Sequence, residues 1–321
     1  MATNEDTVLS QYAQGFKANL NMVPQQTVTK LFSAVDGEMA YDTPGMMFNA
    51  DDVGVSDPEP IVARVPNTPD KFLAMTRRVG YFSPFHDAAW IDSLDKAREF
   101  TDPTAKSMAA LMAGRFRYVD KAILAAAIGN AYSLAAQNTA PSTSALPAAQ
   151  IIAASDVQYQ HDAEVLPTDG SDYGMSIAKL IHAGAILDES ELEGPRYLAL
   201  TSAQKADLLR RTPATSRYYN DVVALQQGKI DNFLDFNIIR VNKSLVPVAA
   251  IGHDGVTPNR ACVAWIKDAL VYRARTIENA TIMRRPDKSN RIQAYYENEQ
   301  GAVRRYDTAV VQINCYEGAA Y

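Results

Sequence analysis

The stretch that decides the fold runs from Asp102 to Ala131 and has the sequence DPTAKSMAALMAGRFRYVDKAILAAAIGNA. It predicts one helix over 103–130, about 42 Å long at about 1.5 Å per residue. Pro103 is typical of a first helical position, where its missing N–H costs nothing, and Gly129 or Asn130 is typical of a helix end. The apolar stripe along this helix is thin and consists of Met108, Met112, Phe116 or Arg115, Val119, Ile123 and Ala126. A helix of roughly twice the usual length with so narrow a stripe is unusual in a globular domain.

The composition of the whole chain is that of a folded protein with a sizeable core. Of its 321 residues, 47% are hydrophobic and 21% are charged, enough for two domains or one large elaborated domain. The net charge of −6 argues against a dedicated nucleic-acid binder, although a protein that encloses nucleic acid is not excluded. Neither a signal peptide nor a run of about 18 apolar residues is present, which predicts a cytoplasmic product without membrane contact. Cys262 and Cys315 lack metal-ligand spacing, and two buried thiols are favoured over a disulfide.

The N-terminal part of the chain contains three successive sequence patterns, helical, extended and again helical. Apolar residues at fourfold spacing predict a short amphipathic helix over Asp6–Asn21. From Thr27 to Pro84 crowded prolines exclude a long helix, and short β-like pieces predict an extended, arm-like excursion. These pieces lie at 46–48, 61–65 and 72–82. A second short helix is predicted over Ala88–Phe100.

The middle of the chain, from 173 to 244, mixes helical and extended patterns, and the last 60 residues are rich in strands. A helix is predicted at 175–187, a strand at 197–200 and a further helix capped by Ser202. A helical turn that ends at Gly228 and one strand over 231–241 follow. The segment 295–306 predicts a hairpin with Gly301 near its turn. In the final strand Ala309, Val311, Ile313 and Cys315 share one face. Together these patterns indicate the α+β class.

A search for catalytic chemistry finds none. Three of the four histidines precede an aspartate, but adjacent residues on a strand point to opposite faces, so adjacency does not make a catalytic pair. No serine lies in a nucleophile elbow, and no phosphate-loop, HExxH or EF-hand spacing occurs. We therefore predict no active site, no cofactor and no metal site.

The charges are distributed unevenly along the chain. Between Asp36 and Glu59 there are seven acidic residues and no basic one, whereas Arg273 to Arg305 contains eight basic residues and four acidic ones. A phosphate-binding strip is one interpretation of the basic segment, and pairing with carboxylates of a neighbouring subunit is the favoured one. The candidate assembly residues on this interpretation are Asp51, Asp52, Arg77, Arg78, Arg284, Arg285 and Arg304.

Three collinear blocks of the sequence resemble the major capsid proteins of tailed phages, which have the Hong Kong 97-type fold. The first block contains Asp102-Pro103-Thr104, Gly114-Arg115, Asp120, Ile123, Ala125-Ala126, Gly129 and Ala131. The second contains Gln204, Leu208, Thr215-Ser216, Tyr219-Asn220, Gly228, Ile230, Phe233 and Phe236. The third contains Arg285-Pro286-Asp287-Lys288, Gly301-Ala302, Arg304, Val311 and Ile313. The resemblance covers nearly the whole chain in order.

This resemblance implies a domain plan and a set of partners. Residues 1–35 would form an N-terminal arm and 36–84 an extended loop whose β-hairpin reaches over a neighbour. A peripheral domain would comprise 85–172, with its spine helix at 103–130, and 259–321; an axial domain would comprise 173–258. The chain would assemble as hexamers and pentamers into an icosahedral shell, in the virion after synthesis in the host cytoplasm. The expected partners are a portal and double-stranded DNA, which is contacted non-specifically. A separate scaffolding protein is also expected, because the chain begins directly at the arm. A decoration protein is left open.

Two other interpretations remain at this stage. An encapsulin-type nanocompartment shell protein would share the fold, and electron microscopy would distinguish it by a small shell that lacks a portal. A soluble enzyme with an unmarked site is the third hypothesis, and clustering of His86 and His182 in one pocket would favour it.

Overall fold

The computed structural model describes residues 25–318 except 62–63, 65–67, 69, 92–103, 135–140, 161–170, 214, 229–230 and 252–253. Its described residues form two compact units. The first unit contains 25–29, 83–119 and 274–300, and the second contains 30–82, 120–273 and 301–318. The helix predicted over Asp6–Asn21 lies outside the described residues. The domain plan of arm, loop, peripheral and axial domains stays a prediction.

The regular elements of the described chain mix helices and strands. The helices are α1 (Thr104–Ile128), α2 (Ile177–Asp188), α3 (Ser202–Arg211) and α4 (Tyr219–Gln226). The strands in the first half of the chain are β1 (Asp36–Glu38), β2 (Met47–Val53), β3 (Met75–Tyr81), β4 (Ser83–Ile91), β5 (Ala131–Ser133), β6 (Ser142–Ser144) and β7 (Ile151–Ile152). The later strands are β8 (Arg196–Leu200), β9 (Asn232–Phe233), β10 (Phe236–Arg240), β11 (Val248–Ile251), β12 (Pro258–Ile266), β13 (Leu270–Arg285), β14 (Arg291–Arg304) and β15 (Val310–Tyr316).

The long helix α1 confirms the central prediction of the sequence. Its observed bounds lie within two residues of 103–130, and Pro103, the predicted first helical residue, lies outside the described residues. The amide of Gly129 donates to the carbonyl of Ala125 at 2.8 Å, and a Cβ at position 129 would lie 2.6 Å from that oxygen. Glycine is therefore required where the helix ends. Val119 and Ile123 of the predicted stripe are buried, whereas Met108 is only half-buried.

The first unit contains the packing of α1 against strands β4 and β14. These strands pair antiparallel from Ser83↔Gln300 to Ile91↔Ile292. Leu111 of the helix packs with Ala294 and Tyr296 of β14. The helix predicted over Ala88–Phe100 is wrong at its start, because residues 88–91 belong to β4; the rest of that segment lies outside the described residues. Pairing with β14 overrides the local helical pattern there.

The second unit is built on a sheet with the strand order β7-β15-β12-β8-β10-β9. Strand β11 lies outside this order and pairs with β12. Strands β12 and β15 are antiparallel, and nearly all of β12 is buried. Cys262 and Cys315 are both buried free thiols on these two strands, as predicted. A second sheet of this unit has the order β2-β3-β5-β6 and contains the hairpin β2–β3.

A buried lysine connects three segments of the second unit. The Nζ of Lys179, on α2, donates to the carbonyls of Ala154 at 2.9 Å, Tyr173 at 2.9 Å, Gly174 at 3.1 Å and Asn314 at 2.9 Å. Burial lowers the pKa of Lys179 to about 8. The ammonium group thereby joins the loop after β7, the start of α2 and strand β15.

Three local predictions differ from the structure. Gly301 is not at a turn: β14 is continuous through it, and the turn follows Pro286–Lys288 at Ser289 and Asn290, which both have positive φ. A Cβ at Gly301 would lie 2.5 Å from the carbonyl oxygen of Tyr81, so close backbone approach explains this glycine.

The strand predicted over 231–241 is instead two antiparallel strands, β9 and β10. They are joined at Leu234 and Asp235, which both have positive φ. Ser202 is the first residue of α3 rather than its cap. The N-cap is Thr201, whose amide donates to Oε1 of Gln204 at 3.3 Å.

Candidate assembly surfaces

The hairpin β2–β3 places the predicted residues Asp51 and Arg77 directly opposite each other. Arg77 binds the carboxylate through two parallel hydrogen bonds, Nε to Oδ1 at 2.7 Å and Nη2 to Oδ2 at 2.8 Å. About half of each side chain is exposed. Hydrogen bonding to Asp51 raises the pKa of Arg77. One carboxylate of the acidic segment is thus paired within its own hairpin.

Asp52, the next residue, lies opposite Thr76, one pair before the end of the β2–β3 ladder, and its side chain is largely buried. Its Oδ1 accepts hydrogen bonds from Nε of Arg305 at 2.9 Å and from the hydroxyl of Tyr306 at 2.8 Å. Burial opposes ionisation of Asp52, but these two hydrogen bonds and the charges of Arg305 and Arg78 outweigh it and lower the pKa of Asp52. The carboxylate therefore anchors β2 to the segment that follows β14.

Arg78 and Arg304 converge on a third carboxylate, Asp307. Nη2 of Arg78 lies 2.5 Å from Oδ2 of Asp307, and Nε of Arg304 donates to Oδ1 at 2.6 Å. Arg304 also donates from Nη1 to the carbonyls of Ala127 at 3.0 Å and Gly129 at 2.7 Å. A further bond runs from its Nη2 to the carbonyl of Ser144 at 3.2 Å.

Arg304 is thereby a structural residue of its own chain. Its side chain has an exposed fraction of 0%. Its guanidinium satisfies carbonyls at the end of α1, which are left without intrahelical partners. These contacts are all made within its own chain, and a role of Arg304 at a contact between subunits stays a prediction.

Arg284 and Arg285 lie at the end of β13, beside the turn to β14. Arg284 is exposed. Arg285 is bound by Asp287 in two hydrogen bonds, Nε to Oδ1 at 2.9 Å and Nη2 to Oδ2 at 3.0 Å. A contact of either residue with another chain stays a prediction, as it does for Asp51, Asp52, Arg77 and Arg78.

The far end of the hairpin β2–β3 presents apolar side chains to solvent. Phe72 is 97% exposed, Val55 85% and Met75 82%. The amide of Gly54 donates to the carbonyl of Ala74 at 2.6 Å, and Lys71 lies 2.5 Å from a carboxylate oxygen of Glu59. The apolar residues 53, 55, 72, 73 and 75 are hereafter called the hairpin tip. Contiguous exposed apolar groups of this kind mark interaction sites.

Sequence reasoning missed the residues that bind the hairpin β2–β3 to the rest of its unit. Arg305 and Tyr306 bind Asp52, Asp307 binds Arg78, and the sequence RRYD at 304–307 lies at the end of a long strand. The available signal was a run of four residues with charged or hydroxyl side chains at the end of a strand. Their partners could not be identified, because they lie more than 200 positions earlier in the chain.

The described histidines make separate contacts. His86 lies in the first unit, where its ring faces that of Tyr295 at 6.1 Å between centroids. His182 lies in the second unit, with Nδ1 at 2.5 Å from Oδ2 of Asp156. Within the described part of the chain no three metal-binding side chains lie together.

Comparison with known proteins decides the family. A model of the phage capsid protein family matches residues 8–317. The chain belongs to this family. It is a capsid protein of phage particles, with a structural and non-enzymatic role. The nanocompartment and enzyme interpretations are not favoured. A search of curated proteins gave no match.

Solved capsid structures share the fold of this capsid protein at low sequence identity. The capsid of Ralstonia phage GP4 is 11% identical, with a TM-score of 0.69 and 95% of each chain covered. The capsid of cyanophage Pam1 is 10% identical, with a TM-score of 0.68, and 95% of this chain and 96% of that chain are covered. The capsid of cyanophage P-SCSP1u is 14% identical, with a TM-score of 0.65 and coverage of 94% and 92%. The predicted α+β fold of the Hong Kong 97 type is confirmed. Among the described helices of this capsid protein none has the length and apolar character needed to cross a membrane.

Proposed function

We propose that this capsid protein forms the hexamers and pentamers of an icosahedral shell around the double-stranded DNA of a tailed phage. In that shell the hairpin β2–β3 extends over a neighbouring subunit and buries the hairpin tip. Assembly begins in the host cytoplasm with a separate scaffolding protein and a portal, and a decoration protein is left open.

The observation that carries this proposal is the exposure of the hairpin tip. Burying apolar surface is worth roughly 25 cal/mol per Å², and full burial of a Phe or Met side chain about 1.5–3 kcal/mol. A monomer gains nothing from leaving Phe72, Val55 and Met75 in water at the end of one hairpin. In a shell every subunit has neighbouring copies of the same chain, so each hairpin tip has a second copy that can cover it.

Two ion pairs of the hairpin support the same proposal. Asp52 is held by Arg305, and Arg78 by Asp307. These ion pairs connect β2 and β3 to the segment after β14. A hairpin held by these ion pairs presents its tip in a defined direction, which reduces the entropy lost when the tip binds a neighbour.

The experiment is assembly of a Phe72→Ser, Met75→Ser variant, followed by sedimentation and negative-stain electron microscopy. We expect folded subunits whose assembly requires at least tenfold higher protein concentration than wild type. The control is Val256→Ser, which removes an apolar side chain that is 80% exposed but lies outside the hairpin. Assembly of the hairpin variant at the wild-type concentration would contradict the proposed role of the tip. Small wild-type shells that never incorporate a portal or DNA would contradict the phage shell.

A further inference from the structure

The second unit contains a cavity of about 270 Å³ at the carboxyl ends of the parallel strands β8 and β10. Leu200 is the last residue of β8, and Arg240 is the last residue of β10. Helices α3 and α4 border the cavity through Lys205 and Leu225. Ligands of open sheets bind outside the carboxyl ends of parallel strands. The cavity therefore lies where the topology favours a binding site.

The lining of this cavity is apolar inside and charged where it meets solvent. Leu200 and Leu225 are only 1% and 2% exposed, and Ile238 is half-buried. The charged lining residues are Lys205, Arg240 and Asp231, and none of them forms an ion pair with another residue that the structure describes. Two cations and one carboxylate leave one positive charge in excess. Such a site suits an apolar group that lies beside a negative charge.

The surroundings of the hairpin tip have the complementary composition. Phe72 is 97% exposed, more than any other large hydrophobic side chain of the described chain. The segments 53–59 and 70–75 contain three acidic residues and one basic residue, which leaves two negative charges in excess. Lys71 is paired with Glu59, whereas Asp70 is exposed and has no ion-pair partner among the described residues. An aromatic ring and a carboxylate thus lie two residues apart.

The cavity is large enough for the ring of Phe72. A cavity of about 150 Å³ lined by aliphatic and aromatic side chains holds benzene, and this cavity is larger. Aromatic side chains that fill apolar pockets contribute most of the binding energy at protein interfaces. Residues two positions apart in an extended chain are separated by at most about 7 Å. With the ring inside, Asp70 then lies within reach of the long side chains of Lys205 and Arg240.

We infer that Phe72 of one copy enters this cavity in a neighbouring copy, with Asp70 against Lys205 and Arg240. Phe72 is exposed in its own chain, so the ring that fills the cavity comes from a second copy. The inference rests on the proposed function, because it requires neighbouring subunits in a shell. It adds the surface that receives the hairpin tip, namely the ends of β8 and β10 together with α3 and α4.

The test is chemical cross-linking between two single-cysteine variants of the full-length protein, Phe72→Cys and Lys205→Cys, assembled together. A short bismaleimide joins two accessible thiols, and the products are separated on a denaturing gel. The native thiols of Cys262 and Cys315 are 0% exposed and do not react. Since each variant adds one cysteine, a dimer that contains both variants forms only between copies. We expect this dimer in assembled particles and its loss after disassembly.

The matched control replaces Lys205→Cys by Arg217→Cys, at an exposed position of the same unit outside the cavity. A dimer yield no higher than that of the control, in particles that form normally, overturns the inference and leaves the proposed shell intact. Wild-type particles are scored separately by electron microscopy. If wild-type protein forms no shells, the proposed function fails, and the inference fails with it.

A charge exchange decides the matter if the cysteine variants do not assemble. Asp70→Arg and Arg240→Asp should each raise the protein concentration needed for assembly about fivefold, the effect of losing one exposed ion pair at every contact. The combined variant restores the pair with reversed charges and should assemble within about twofold of the wild-type concentration. Additive loss in the combined variant overturns the inference.

Discussion

Replacement of Arg304 by methionine gives the sharpest test of how the end of helix α1 is held. The guanidinium is fully buried and donates to Asp307 and to three carbonyls, those of Ala127, Gly129 and Ser144. Methionine keeps much of the apolar volume but donates no hydrogen bond. The three carbonyls then lose their donor, and Asp307 keeps Arg78 as its remaining ion-pair partner.

The size of the effect follows from these contacts. Breaking a buried ion pair by removing one member costs about 3–5 kcal/mol, and a buried polar group without a partner costs about 1–3 kcal/mol. Since these contributions overlap at one side chain, we expect the free energy of unfolding to fall by about 3–5 kcal/mol. The free energy of unfolding of Arg304→Lys should be intermediate between those of wild type and Arg304→Met. One ammonium group cannot reproduce the planar guanidinium that reaches Asp307 and the carbonyls together.

The assay is urea unfolding of unassembled subunits, followed by circular dichroism. The control is Arg284→Met, the same substitution at an exposed position of β13, which should change the free energy of unfolding by less than about 0.5 kcal/mol. If Arg304→Met unfolds at the same urea concentration as Arg284→Met, the guanidinium does not hold the helix end and the reasoning fails.

Two further predictions concern the helix and the hairpin. Ile123→Asp places a charge at a position 1% exposed on α1 and should abolish soluble, folded subunit; normal yield with the wild-type circular dichroism spectrum would show that the buried face is misassigned. Asp52→Asn should lower the free energy of unfolding by about 1.5–3 kcal/mol at pH 7, since it weakens charged hydrogen bonds to Arg305 and Tyr306. Because the folded protein lowers the pKa of Asp52, its contribution is complete above the unfolded value near 3.8 and is lost as the pH falls through the folded value. The difference between wild type and Asp52→Asn in urea unfolding should therefore shrink below about pH 4, and a difference independent of pH would contradict the role of the charge.

Local periodicity was sufficient to predict the long helix, because its determinants are close in sequence. The spacing of Val119 and Ile123, and the glycine at 129, depend on neighbours three or four residues away. The same holds for α2 and for the alternation of β15. Resemblance to capsid proteins rested on residues spread along the chain, and it identified the fold and the family although no catalytic motif was present.

Where the sequence failed, a distant partner decided the structure. Residues 88–91 have a helical pattern but become part of β4, because β14, some 200 residues later, offers a complete ladder of hydrogen bonds. Gly301 resembles a turn residue, yet it lies within β14 because the backbone of Tyr81 passes too close for a side chain.

The candidate assembly residues show the same division between sequence and tertiary structure. By itself the sequence determined the long helix, the α+β class and the positions of the acidic and basic residues, all of which follow from residue type and short-range spacing. Which charges meet was decided only by the tertiary structure: Asp52 pairs with Arg305, 253 positions away. The physical reason is that a charge interacts with whatever the folded chain brings within a few ångströms, and that distance is independent of separation along the sequence.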